Sequence, residues 1–294
     1  MISLFSDSEW DARAVCWIII FFEICSLALN TLILFKAVRL IRKNLSHALT
    51  FLICATDLLL SLDVLIKYSL RLAYGKQIVL GTAWFCSTFW TICYTLGCMS
   101  SIFISLLALE RYLQVCRGTC IHPLGVMLGT LLAFVALLFL GIMTSVTDGY
   151  NIDSKGMFCM LGTNIWSNLL MIIAKLCFVI SLLVICTCYL NIYFFCQRIN
   201  RRFSSNIHTK KTLLPILIYL TNYLPVFIHV VLAIFVGEFS VPPGFFVMSF
   251  ISAVTIPASN SFLVLSLHQQ IRDSLAELFQ KPKAIQIHEC SCQA

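Results

Sequence analysis

Apolar residues fall into seven long runs, about 14–37, 47–73, 83–114, 124–147, 165–197, 209–236 and 242–267. Each is long enough to cross a hydrocarbon layer of roughly 30 Å as a helix. Polar breaks between them are short, except at 148–164 and 198–208. After the last run, Ile271, Leu275, Leu278 and Phe279 recur at helical spacing, with Arg272, Asp273 and Glu277 off that stripe and Pro282 ending it. This predicts an amphipathic helix along the membrane surface. The expected architecture is an all-α membrane protein, a seven-transmembrane helix bundle followed by that short helix. Its parts are an N-terminal segment 1–13, the bundle 14–267, the amphipathic helix 268–280 and a tail 281–294.

Composition agrees: 60% of residues are hydrophobic, 11% are charged and mean hydropathy is +0.94. Soluble domains carry about a quarter charged residues. The net charge of +7 follows topology rather than a nucleic-acid face. With the N-terminus outside, fourteen cations fall on the inner side, among them Lys36, Arg39, Arg111, Arg117, Arg198 and Lys210, and four outside: Arg13, Arg71, Lys76 and Lys155. That is the positive-inside bias. The polar start, with Asp7, Glu9 and Asp11, does not read as a cleaved leader. Span one is expected to serve as its own insertion signal, and so short a segment argues against a folded ligand-capture domain. The sequon Asn44-Leu45-Ser46 falls on the inner side, where glycosylation is not expected.

Several unusual residues then fall into one pattern. Glu110-Arg111-Tyr112 closes the third run, and Cys86 opens it, twenty-five residues before the arginine. Span one holds Leu29-Asn30-Thr31-Leu32-Ile33, and span two Ile53-Cys54-Ala55-Thr56-Asp57. Span six holds Tyr219-x-x-x-Tyr223-x-Pro225, and span seven Asn260-Ser261-Phe262-Leu263-Val264, with Arg272 eight residues on. Together, in these spans and this order, they resemble the rhodopsin-like (class A) G protein-coupled receptors, over residues 14–280. The resemblance implies a receptor in the plasma membrane that passes an extracellular signal to a heterotrimeric G protein. Arg111 would be held at rest by Glu110 and face the G protein when active, with Tyr189 supporting it; Tyr112, Tyr219, Tyr223, Pro225 and Asn260 would belong to the switch. A boundary charge reaching for water is the plainer reading of Arg111.

Fifteen cysteines sit mostly inside spans, as small apolar residues do. Cys86 and Cys159 stand apart on the oxidising side, and the resemblance implies that they pair. Cys290 and Cys292 are candidates for lipidation, against an unmodified tail.

Asp57 falls in mid-membrane, where a carboxylate needs a partner. Asn30, Ser100 and Asn260 match family positions that converge on it, and the resemblance implies a sodium site. Oxygen ligands suit a hard cation. A water-filled polar pocket is the alternative, since Ile256 and Pro257 stand where further polar neighbours often occur. Glu23, Asp63, Lys67 and Lys175 are less typical. Asp63 and Lys67, four apart in the order that favours pairing, are expected to neutralise one another, or Glu23 to serve Lys67. Alternatively Lys67 docks a ligand carboxylate. Lys175 is expected to snorkel outward or face lipid headgroups.

The departures also exclude. Span seven contains no lysine, so retinal linkage there is impossible. Cys93 stands where aminergic receptors place an aspartate. The pocket floor implied by the family, Cys93, Tyr94, Gly97, Ile173 and Tyr223, suits a small, fairly hydrophobic ligand. Ser261 and Val264 replace the span-seven proline and tyrosine, Ser181 stands where span five usually bends, and span four lacks its usual tryptophan. Altered switching follows from these losses. The compact, loop-poor layout points towards chemosensing. The rivals are a bitter-taste type receptor, for which Ser259-Asn260-Ser261-Phe262-Leu263 speaks faintly, and a seven-helix transporter or channel using Glu23, Asp57, Asp63 and Lys67. Repeats and broken helices, common in transporters, are not seen. No nucleophile–base pair or His/Glu metal cluster suggests an enzyme; His47, His208 and His229 read as loop or core residues.

Overall fold

The computed structural model describes residues 9–40, 45–75, 83–147, 150–152, 159–161, 164–203, 221–229, 231–232 and 243–267. Tyr219, the stripe at 268–280, Cys290 and Cys292 lie outside the described residues. The helices are α1 (Glu9–Leu40), α2 (Leu45–Tyr74), α3 (Ala83–Tyr112), α4 (Pro123–Val146), α5 (Ile165–Phe203) and α7 (Pro243–Leu267). Between the last two, 221–229 and 231–232 are helical and form part of α6. Six of the described helices are long and apolar enough to cross a membrane, and α6 adds a seventh helix. The chain is a multi-pass membrane protein.

Local chemistry sets the ends. Gly75 and Gly118 adopt positive φ, 71° and 64°, terminating the chain's helical path after α2 and α3 as a left-handed residue does. Pro123 occupies the first turn of α4, where its missing N–H costs nothing. Asn164 caps α5: its Oδ1 accepts from Ser167 N at 2.7 Å and Ser167 Oγ at 2.8 Å. In α7, Pro257 cannot donate to the helical ladder, and its own carbonyl accepts from Ser261 Oγ at 3.0 Å and Asn30 Nδ2 at 3.4 Å. Side chains of the same and a neighbouring helix thus engage this backbone, as apolar surroundings require.

Two departures from the sequence reading are local. The segment expected as irregular loop carries a hairpin, β1 (Tyr150–Ile152) antiparallel to β2 (Cys159–Leu161), with Ile152 opposite Cys159. Among the described residues the fold is therefore all-α apart from one hairpin, which packs on α3 and α5. The strands are three residues each, too short for an alternating pattern to stand out. The C-terminal end of α3 does not break at residue 115 but runs into a π-helical turn, Leu113–Arg117.

In the bundle α1 packs on α2 and α7, α2 on α3 and α7, and α3 on α4 and α5. One core joins Ile33, Ile53, Ile104, Leu107, Ile185 and Val264. The outer surface is apolar: on α4, Leu124, Met127, Leu128, Leu131, Leu132 and Val135 are all exposed. With no hydrophobic drive between helices in lipid, close packing holds them, and Gly141 shows it. A Cβ there would meet Thr91 Cγ2 at 2.5 Å, while Thr91 Oγ1 donates to the Gly141 carbonyl at 3.1 Å. Ser145 completes the α3–α4 contact, 2.8 Å from Thr91 Oγ1.

Candidate functional site: a polar knot beneath a helix-lined cavity

Asp57, Ser100 and Asn260 come together at the centre of the bundle, each buried. Ser100 Oγ donates to Asp57 Oδ1 at 2.6 Å, and Asn260 Nδ2 to Asp57 Oδ2 at 3.0 Å and to Ser100 Oγ at 3.1 Å. Buried carboxylates persist when hydrogen-bonded, and three helices meet to do it. Asn30 reaches α7 by its bond to Pro257 and binds Ser26 Oγ at 3.1 Å. Ser26 in turn meets Ser61 at 2.8 Å, so α1 and α2 are joined by a serine pair that sequence reading did not single out. Tyr223 Oη donates to Asn260 Oδ1 at 3.4 Å, and Asn222 donates to Ser259. Thus α6 is fastened to α7 at this level.

Above the knot, on the side of the hairpin, lies a cavity of about 300 Å³ walled by α1, α2, α3, α5, α6 and α7. Lys67, Cys93, Tyr94 and Gly97 line it, as does Ser100, which therefore belongs to both cavity and knot. Ile173 and Tyr223 do not. On α5 the walls are Met171, Ala174, Lys175 and Phe178, a stripe at helical spacing; Ile173, two residues from Met171, lies off that stripe, half-buried against the core. Tyr223 is fully buried behind Phe178, stacked at 5.3 Å and 15°. Lys175 faces the cavity rather than lipid, and His229 lines it too.

The expected Asp63–Lys67 pairing takes another form. Asp63 Oδ2 accepts from Cys93 Sγ at 3.0 Å, which ties α2 to α3 at this level. Lys67 Nζ lies over Trp90 at 4.6 Å and Tyr68 at 5.5 Å from the ring centroids, and Asp63 acts on it as a nearby charge. Cation–π attraction is worth most when desolvated, which explains how Lys67 stays at 3% exposure. Trp90, one turn before Cys93, was the signal in the sequence for this arrangement. Glu23 lines the cavity from α1, fully buried, and its carboxylate has only the neighbouring Ser61 hydroxyl, itself shared with Ser26, to serve it.

At the other end of α3, Glu110 is buried. Ser46 Oγ donates to its Oε2 at 2.5 Å and Gln114 Nε2 to its Oε1 at 2.9 Å. Ser46 is a partner on α2 that nothing in the sequence distinguished from other span-end serines. Tyr189 is fully buried within electrostatic reach of Arg111, and its hydroxyl has no hydrogen-bond partner. Cys86 is disulfide-bonded at the end of α3 on which the hairpin packs.

No protein-family model matches the sequence, and no curated protein sequence does either. Among solved structures, the chain is similar to squid rhodopsin, with a TM-score of 0.65 over 92% of this chain and 86% of that one, at 14% identity. It shares the rhodopsin-like seven-helix fold.

Proposed function

We propose that this chain is a rhodopsin-like G protein-coupled receptor whose ligand is a small molecule held in the helix-lined cavity. The observation that carries the reading is the double role of Ser100. It walls the cavity and hydrogen-bonds the knot, so a ligand is one side chain from Asp57 and Asn260, and through Asn260 from Tyr223 on α6. A ligand that binds better with this junction rearranged shifts the population towards that arrangement, and only by that difference in affinity.

On this reading the face carrying Arg111 is intracellular and engages the heterotrimeric G protein. The Ser46–Glu110–Gln114 bonds hold the resting state, and Tyr189 receives Arg111 on activation. Pro225, within described α6, marks where the helix lacks a ladder donor and can bend. The N-terminus is extracellular and the membrane is the plasma membrane. Cys86 pairs with Cys159 of β2, pinning the hairpin over the cavity mouth. Tyr112 and Tyr219 complete the switch, and Cys290 and Cys292 are lipid anchors. The compact extracellular side suits a chemosensory role.

The knot also fits a sodium ion by donor chemistry. Asp57 and Ser100 offer oxygens, while Asn260 turns its amide nitrogen to Asp57 and orients the carboxylate. The ion supplies a positive charge that would neutralise Asp57 away from water.

The test is G protein activation in cells expressing the chain with a panel of Gα subtypes, beside Arg111→Ala. Signal lost in Arg111→Ala at equal surface expression supports the reading. Silence across all subtypes and a broad ligand panel, at good surface expression, refutes it.

A further inference from the structure

The cavity presents two buried charges of opposite sign, neither of them partnered in the ordinary way. Lys67 has aromatic rings beside its ammonium and Asp63 only as a nearby charge, one oxygen of that acid being bonded to Cys93. Glu23 is fully buried, and beyond the neighbouring Ser61 hydroxyl, which is shared with Ser26, no donor serves its oxygens. Both line the same chamber. They stand at different depths: Ser61, beside Glu23, is six residues from Lys67 on α2, or about 9 Å at 1.5 Å per residue. Between them the wall is apolar, with Leu60, Val64, Phe250 and Val254. Buried ammonium groups are found with counter-charges, and buried acceptors with donors.

We propose that the cavity binds a small organic acid with an apolar middle and a hydrogen-bond donor at its far end. The anionic group meets Lys67 beside Trp90 and Tyr68, the middle lies along Val64 and Phe250, and the donor reaches Glu23. This deepens the receptor reading by naming the ligand class, and it rests on the same cavity.

A matched series tests it on the purified full chain in lipid nanodiscs, read by thermal unfolding at millimolar ligand without any G protein. The probes are 3-(4-hydroxyphenyl)propanoate, its methyl ester, 3-phenylpropanoate and tyramine. The hydroxy acid is expected to stabilise the chain most. Lys67→Met is expected to weaken its binding by about tenfold to a hundredfold, the size of a charged hydrogen bond, and Lys67→Arg to retain it. Glu23→Gln is expected to reduce the advantage of the hydroxy acid over 3-phenylpropanoate and leave the latter unchanged. Unliganded melting of each variant shows whether it folds. Equal effects of acid and methyl ester, tighter binding of tyramine, or no shift with any of the four overturns the proposal. Binding of the acid without activation of any Gα keeps this site and removes the receptor reading instead.

Discussion

Asn260 Nδ2 lies 3.0 Å from Asp57 Oδ2, joining residues 203 positions apart and tying α7 to α2. The same nitrogen is 3.1 Å from Ser100 Oγ, so one amide serves two helices. Removing it strips the Asp57 carboxylate of one of its two hydrogen-bond donors while leaving it buried.

Asn260→Ala is accordingly expected to destabilise the chain by about 2 kcal/mol, in the range for a buried charged group losing a donor. In a double-mutant cycle with Asp57→Ala, the combined loss should be clearly smaller than the sum, since both changes remove one interaction. Thermal unfolding in nanodiscs measures it; additive losses would show the bond to be energetically idle.

If sodium occupies the knot, replacing choline with sodium at equal ionic strength raises the unfolding temperature of the wild type. Asp57→Asn should abolish that difference, because a neutral amide removes the charge that draws the ion. An equal sodium effect in both proteins would place the ion elsewhere.

Ser46→Ala deprives buried Glu110 of its donor from α2. The expected cost is about 1–3 kcal/mol, accompanied by higher basal G protein signal, as the resting contact between α2 and α3 is lost. Unchanged basal activity at equal surface expression would show that this bond is structural only.

Gly141→Ala places a methyl 2.5 Å from Thr91 Cγ2. Overpacking of this kind costs about 1–3 kcal/mol. Because Thr91 also bonds the Gly141 carbonyl, the side chain cannot rotate away without losing that contact. Thr91→Ala should restore part of the stability in the Gly141→Ala background; no rescue would mean that the helices separate in another way.

The seven helices were legible because long apolar runs in lipid have few alternatives to helix. Asp57, Ser100 and Asn260 were legible for a related reason: polar residues are scarce in such runs, so each invites a partner. The serine and threonine contacts were not. Ser26, Ser46, Ser61 and Thr91 can each bond a carbonyl of their own helix instead, as Thr50 does to Ser46 and Thr144 to Leu140, and the sequence is the same in both cases. Lys67 failed for a different reason. The i, i+4 rule describes solvated helix surfaces, whereas here Cys93 on a neighbouring helix bonds Asp63 and Trp90 lies beside the lysine. Ile173 was misplaced by register alone: two positions along α5 is more than half a turn away from Met171.

The π-helical turn at Leu113–Arg117 holds one more residue per turn than the helix it extends. It works as an absorbed insertion: Arg111 and Tyr112 keep their phase, while Cys116 and Arg117 stand about a quarter turn from where a continued α-helix would set them. A seven-helix chain whose third helix stays α-helical through this turn therefore matches it only with a one-residue gap just after Tyr112. Without that gap, a cation at the start of the loop is matched to the wrong neighbour, and the contact surface beyond Arg111 is read out of step.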